Sequence, residues 1–414
     1  MEEWKEYKLG DVCKIKHGFA FKGCYFVDEP QKYVCVTPGN FSLKGGFKNE
    51  KPKYYNGPIP EDYILKEDDL IVTMTDLSKA GDTLGYSALV PKDNNYVFLH
   101  NQRIGLIEDI SSSIDKHFLY WIMRTYEYQR YIVGHCSGST VKHTSPTSIG
   151  SYSFNAPSIE LQKAIASFLD NLDDKIELNR KINANLEAQA QVLFKSWFVD
   201  FEPFKDQPFV ESELGMIPEG WKVGTFLDNV NVMPGGTPST NKTEYWTGGT
   251  IPFFSPKDVN GVYCFKTEKN ITELGLNNCS SHLYPKDTLF ITARGTVGKL
   301  ALAGLPMAMN QSNYALVAKE GISKFYLYLL AQTLVSVLLK KANGAVFSAI
   351  TTRDFNEPTI IPPTLDIKHF DNLVSPIFNK IYQTEQESRR LASLRDALLP
   401  RLMSGELKVN EIVL

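Results

Sequence analysis

The stretch 158–205, SIELQKAIASFLDNLDDKIELNRKINANLEAQAQVLFKSWFVDFEPFK, limits what the whole chain can become. It contains no glycine and no proline before Pro203. Its apolar residues recur at Ile165, Phe168, Leu172, Ile176, Ile182, Leu186 and Leu193, mostly three or four apart. That spacing predicts a helix with one apolar stripe, close to the heptad period of a coiled coil. Polar Asn179 and Gln189 are expected at two seam positions. Ser158 is the expected N-cap, with Gln162 one place late for a capping box. About 40 helical residues reach roughly 60 Å. Such a rod cannot bury its stripe alone and needs a partner helix.

Residues 366–405 supply one. Shifted by 205, Lys175-Ile176 falls on Lys380-Ile381, Leu186 on Leu391, and Leu193-Phe194 on Leu398-Leu399. Phe370, Val374, Ile377, Ile381, Leu391 and Leu398 repeat the stripe. Each copy follows a proline-marked exit, Ala156-Pro157 and Pro362-Pro363. Pro376 lies inside the second copy, so a kink or a late start is expected there. Two such helices pair antiparallel, which places one globule at each end of the rod under a pseudo-twofold axis.

The globules are expected over 1–157 and 206–363, with the long helices at 158–205 and 364–414. Short strand-like runs such as Tyr33–Val36 and Leu70–Met74, broken by Gly, Pro and Asn turns, predict α+β domains. The two echo each other loosely. Thr37-Pro38 matches Ser255-Pro256, and Asp69–Thr73 matches Asp287–Thr292. His100-Asn101-Gln102 matches Met309-Asn310-Gln311, and Phe118-Leu119-Tyr120 matches Phe325-Tyr326-Leu327. Equivalent turns in equivalent order predict an internal duplication. The fold class is therefore two duplicated α+β domains separated by two long antiparallel helices.

No run of about 18 apolar residues is present, so no membrane span is expected, and the charged N-terminus lacks a signal core. A cytoplasmic protein is the expectation. The six cysteines form no CxxC pair and no ligand set with His. Net charge is −3, which argues against a strongly basic nucleic-acid binder. Lysines nevertheless gather in the first globule, with Lys14, Lys16, Lys22 and Lys32 among them, while Asp170, Asp173, Asp174, Glu177 and Glu187 gather on the first helix.

Catalytic motifs are missing. Gly295-Thr296-Val297-Gly298-Lys299-Leu300 is two residues short of a phosphate loop and ends in Leu. Asn155-Ala156-Pro157-Ser158 lacks the second proline and the aromatic ring of an amino-methyltransferase motif. There is no GxSxG elbow and no HExxH. The paired carboxylates Asp68-Asp69 and Asp173-Asp174 read as a solvated turn and a solvated helix face. Tyr54-Tyr55 and Tyr245-Trp246 read as packing. What remains suits binding: polar, Gly-rich loops carry isolated cations and amides at matching places in both globules. Arg can grip guanine bidentately, Gln or Asn can grip adenine, and backbone amides in such turns can hold phosphate.

Leu193-Phe194-Lys195-Ser196-Trp197-Phe198-Val199-Asp200-Phe201-Glu202-Pro203-Phe204 resembles the central conserved region of the specificity subunit of type I restriction–modification systems. Residues 394–407, LRDALLPRLMSGEL, resemble that family's C-terminal hallmark. Pro218-Glu219-Gly220-Trp221 resembles the start of its target-recognition domain. The resemblance covers the whole length. It implies that each globule is a target-recognition domain reading half of a split double-stranded DNA site. It implies that the helices set the gap and bind two modification subunits, through a stripe of Leu172, Ile176, Leu186, Leu193, Trp197, Phe198, Ile381, Leu391, Leu398 and Leu402. Restriction subunits would join the complex, with no membrane involved. S-adenosylmethionine, ATP and Mg would reside in those partners, with no cofactor and no metal in this chain. On that reading the chain is non-catalytic, and Lys14, Lys16 and Lys22 touch phosphate. The other expected DNA-binding residues of the first globule are Thr75, Ser78, Lys79, Gln102, Arg103, Ser139, Thr140, Lys142 and His143. Those of the second are Thr237, Lys257, Arg294, Thr296, Lys299, Gln311, Asn343 and Ser348. A free-standing DNA methyltransferase or nuclease, and a protein-only scaffold, are the rival readings.

Overall fold

A computed structural model describes residues 4–76, 78, 81–139, 141–341 and 349–412. The chain divides into two compact units, Met1–Asp174 with Leu391–Leu414, and Lys175–Arg390.

The first unit is built on an antiparallel sheet in the order Lys14–His17, Ile104–Glu108, Leu70–Thr73 and Ser87–Leu89. A second sheet sets Tyr33–Val36 parallel to Val97–His100, with Tyr54–Tyr55 and Phe26–Val27 beyond. Strand Lys5–Lys8 pairs with Ser153–Ala156 and closes the domain's two ends on each other. Leu70–Thr73 is buried at every position, which is why it reads as an uninterrupted apolar run rather than an alternation. Helix Lys116–Ile122, capped by the Asp115 carboxylate, buries Phe118, Leu119, Trp121 and Ile122. Those residues share one core with Ile165, Leu169, Leu398 and Leu402 of the long helices.

The second unit repeats the plan. Its larger sheet runs Val230–Pro234, Asn313–Ala318, Leu289–Thr292, Leu300–Ala303 and Tyr263–Cys264. Ile251–Phe254 lies parallel to Ala308–Met309 and antiparallel to Lys269–Ile271. Lys222–Thr225 pairs with Pro358–Ile361, as Lys5–Lys8 pairs with Ser153–Ala156. Helix Lys324–Lys341 covers the sheet.

Side-chain caps confirm the duplication residue by residue. The Thr37 amide donates to Asn40 Oδ1 at 2.8 Å, and the Ser255 amide to Asp258 Oδ2 at 2.7 Å, each starting a short 3-10 turn. One match shifts by a residue. Asp68 and Asp287 are the left-handed positions, at φ 68° and 67°, so Asp68 rather than Asp69 corresponds to Asp287. Each accepts the lysine that opens the following helix, Lys116 or Lys324. Gly295-Thr296-Val297-Gly298 forms a hairpin turn between strands Leu289–Thr292 and Leu300–Ala303, not the strand-to-helix loop a phosphate site needs.

The long helices span Ile159–Phe198 and Thr364–Met403. Within the second unit they run antiparallel: Asn179 faces Glu387 and Ser388, Asn183 faces Thr384, and the Phe194 and Phe198 rings meet Phe370. Within the first, Asp173 faces Arg395. Asn179 is at the seam, wholly buried, as its spacing predicts. Gln189 is not; it is exposed, and Ala190 takes the seam, because the stripe follows the helical rather than a strict heptad period there. The second helix starts at Thr364 and continues through Pro376, so the late start does not occur. Pro376 is exposed while Phe370, Val374, Phe378 and Ile381 are fully buried, and that packing holds the helix across the missing donor. Asp173 is not on a solvated face either; it accepts two arginines.

The expected partner-binding stripe is consumed internally. Leu172, Leu398 and Leu402 lie in the first unit's core, and Phe198 and Ile381 in the second's. Leu186, Leu193 and Trp197 pack half-buried against that second core. Ile176 and Leu391 are also half-buried. The outward faces instead carry exposed Leu178, Val192, Leu365 and Leu373.

Candidate nucleic-acid interface

In the first unit three loops meet at Met74, just past strand Leu70–Thr73. The Met74 amide donates to the Arg103 carbonyl at 2.9 Å, and the Thr144 amide donates to the Met74 carbonyl at 3.0 Å. Thr75–Asp76 then pairs with Lys142–His143. The buried Thr75 hydroxyl lies 3.1 Å from His143 Nδ1. Asp76 ties the next turn down: it accepts the Ser78 amide at 2.6 Å, the Thr83 amide at 2.5 Å and the Thr83 hydroxyl at 2.8 Å. Burial pushes the Asp76 carboxyl up, yet these donors hold it below its ordinary value. On the neighbouring turn Asn101 Oδ1 accepts the Arg103 amide at 3.0 Å, which leaves the Gln102 and Arg103 side chains exposed.

The second unit builds the same junction with different residues. The Ala293 and Arg294 amides donate to the Ser312 carbonyl at 2.8 and 3.2 Å, and the Ile350 amide to the Ala293 carbonyl at 2.9 Å. Asn310 Oδ1 accepts the Ser312 amide at 3.0 Å, as Asn101 does for Arg103. Two glycines are obligatory at the root. A Cβ on Gly18 would lie 2.0 Å from the Asn101 carbonyl oxygen, and one on Gly235 would lie 2.0 Å from that of Asn310.

Beside the second junction lies a cleft of about 540 Å³, lined by Thr237, Lys257, Arg294, Thr296 and Gln311, all five expected from sequence. The Thr237 hydroxyl donates to Gln311 Oε1. Lys257 pairs with Glu268 at 3.4 Å. Arg294 is exposed and makes no ion pair among the described residues. Lys299 is exposed on the hairpin but does not line the cleft.

Trp246, expected as packing, does pack on Phe253, and together with Lys269, which the sequence did not single out, it also lines the cleft. Tyr245 is buried, and Trp246 is half-exposed with the Lys269 ammonium 5.6 Å from its ring centre. They are far apart in sequence, and only the pairing of Ile251–Phe254 with Lys269–Ile271 brings them to one wall.

Of the three lysines expected at phosphate, two have local partners. Lys14 pairs with Asp109 at 2.7 Å, and Lys16 donates to the Asp62 carbonyl at 3.0 Å; Lys22 is exposed. Ser139 is exposed on the Ser137–His143 loop. Lys79, Thr140, Asn343 and Ser348 lie outside the described residues.

Two polar-tipped junctions, duplicated in one chain and joined by long helices, are what a protein needs to address two places on one extended ligand. The family model described as the type I restriction modification DNA specificity domain matches residues 1–188 and again 218–391. The chain belongs to this family. It is 28% identical to the type I restriction enzyme HindI specificity subunit of Haemophilus influenzae, over 98% of this chain and 100% of that protein. It is 31% identical to the MjaIX specificity subunit of Methanocaldococcus jannaschii, over 71% of this chain and 70% of that protein. A crystal structure of the S subunit of a type I restriction–modification system from M. genitalium shares its fold, with a TM-score of 0.56 at 16% identity, covering 97% and 96% of the two chains. DNA specificity in a type I restriction–modification system is therefore the chain's role. No helix among the described residues is long and apolar enough to cross a membrane.

Proposed function

We propose that each unit reads one half of a split double-stranded DNA site, and that the chain itself catalyses no step. The observation that carries this is the convergent junction built twice, at Met74 and at Ala293, from the same backbone hydrogen bonds but different tips. Identical scaffolds fix position, and different side chains give each half its own sequence. Arg294 and Gln311 in the second unit, with Gln102, Arg103 and His143 in the first, reach base edges. Lys257, Lys269, Lys142 and the glycine-rich turns take phosphate.

Modification subunits and restriction subunits are the proposed protein partners, in the cytoplasm. They supply S-adenosylmethionine, ATP and Mg, and this chain supplies the address. Partner helices would meet the exposed Leu178, Val192, Leu365 and Leu373 on the outward faces of the long helices. A near-neutral chain fits this division, since partners share the grip on phosphate.

The test is a methylome comparison in a strain with and without the gene, followed by electrophoretic shift of a duplex carrying the motif, with modification subunit present. A split motif that appears only with the gene, and a shift specific to it, are the expected results. A purified chain that methylates or cuts DNA unaided would overturn the reading, and so would binding indifferent to sequence.

A further inference from the structure

Both units meet their helices through polar contacts, in the second through Glu187 with Tyr328 and Gln332 and through Glu385 with the Val262 and Tyr263 amides, but at one place the two differ chemically. In the first, Arg124, Asp173 and Arg395 form a network between three elements. Arg124 leaves the end of helix Lys116–Ile122, with its side chain 4% exposed, and its Nη1 meets Asp173 Oδ2 of the first long helix at 2.6 Å. Arg395 of the second long helix takes the other oxygen of Asp173. Arg395 also holds Asp396 at 2.7 Å, and Asp396 holds Lys44 at 2.7 Å. Arg124 Nε returns to the Lys44 carbonyl at 2.8 Å, and its guanidinium lies 4.2 Å from the Trp121 ring centre.

The offset that aligns the helix copies, 205, carries buried Ile165 onto Phe370 and Leu169 onto Val374. It carries Asp173 onto Phe378, and Ala190 onto Arg395. The offset between the helices over the sheets carries Phe118 onto Phe325, and so Arg124 onto Ala331. Ala190, Ala331 and Phe378 are all fully buried, and the Phe378 ring stacks on Phe325 at 4.5 Å. One place in the duplicated design is thus held by two arginines and a carboxylate in the first unit, and by two alanines and a phenylalanine in the second.

An apolar solution exists and the second unit uses it, so the charges are not needed to fill space. Replacing a buried ion network by packed apolar side chains is often neutral or stabilising, whereas ions with fixed hydrogen-bond directions accept only one mutual orientation. We infer that Arg124, Asp173 and Arg395 are positioning residues that fix the angle at which the first recognition unit sits on its helix pair, and thereby the gap at which its half-site is accepted. This rests on the split-site reading above. At that place apolar contact is non-directional and tolerates rotation; the Arg395 guanidinium, shared between Asp173 and Asp396, and the buried Arg124 do not.

The experiment uses the full chain with its modification subunits, in cells, and reads every methylated site. The variant carries the second unit's solution, Arg124→Ala, Asp173→Phe and Arg395→Ala together. The expected protein melts at or above the wild-type temperature and still recognises both half-sequences. It also methylates sites whose gap is a base pair longer or shorter, which the wild type leaves unmodified. A map with the wild-type gap alone overturns the inference. If the triple variant does not accumulate, Arg395→Met is mapped instead, with the same two outcomes deciding. If the wild type yields no split motif, it is the split-site reading that fails, independently of the variants.

Discussion

His117 is held between two carboxylates, with Nδ1 2.7 Å from Asp170 and Nε2 3.3 Å from Asp68. The Asp170 hydrogen bond raises its pKa above the usual 6.5 against the opposing effect of burial, and Asp68 adds to it. A raised histidine stabilises the fold fully below its unfolded value, and the contribution fades as pH rises through the folded one. His117→Gln is therefore expected to flatten the fall in unfolding midpoint from about pH 6 to about pH 8; an unchanged slope would contradict the clamp. Glu385 has the same sign of pH dependence from a different cause, burial of its neutral form. Burial pushes its carboxyl up to about 7, although the Val262 and Tyr263 amides donate to it at 2.9 and 3.0 Å. Its contribution is complete below 4.5 and lost as pH rises through about 7. Glu385→Gln, which cannot ionise, is expected to raise the melting temperature at about pH 8 and leave it nearly unchanged at about pH 5. Neither residue was legible in sequence, because each acquires its surroundings from segments remote along the chain. The place of Arg294 and Gln311 on neighbouring exposed turns was legible, since polar side chains recurring on matching turns in both halves needed no tertiary information. Asp173 was misread as solvated because its two arginines come from residues 124 and 395.

At the scale of elements, the long helices could be read from spacing alone. A stripe of that length leaves a helix no other state, and its second copy supplied the partner. What spacing did not settle was which residues fill the seam once twist accumulates, hence Ala190 in place of Gln189. Nor did it show that packing would override Pro376. That proline is exposed, removes one backbone donor and makes no contribution to the stripe. Pro376→Ala is expected to stabilise the second unit by about 1–3 kcal/mol in chemical denaturation. Phe370 lies on the same helix, fully buried among Phe194, Trp197 and Phe198. Phe370→Ala should cost about 3–5 kcal/mol. A proline replacement that destabilises, or a phenylalanine replacement within error of wild type, would contradict the packing described. The sheets were less legible. The parallel pairing of Tyr33–Val36 with Val97–His100, and of Ile251–Phe254 with Ala308–Met309, joins segments that no local pattern connects.

For the whole molecule, duplication is the fact from which function follows. Two junctions share hydrogen bonds, obligatory glycines, helix-opening lysine pairs and an exposed glutamine, Gln102 or Gln311, yet differ in the side chains around it, with Arg103 against Ser312 and Thr75 against Arg294. Reading is expected to be modular: each junction governs its own half of the target and leaves the other alone. The decisive measurement is the methylome of cells carrying the full complex with Gln102→Ala and Arg103→Ala, compared with that of cells carrying Arg294→Ala and Gln311→Ala. The account predicts that the first pair relaxes the sequence of one half-site only, and the second pair that of the other half-site only. A pair that alters both halves together, or two pairs that alter the same half, would contradict it.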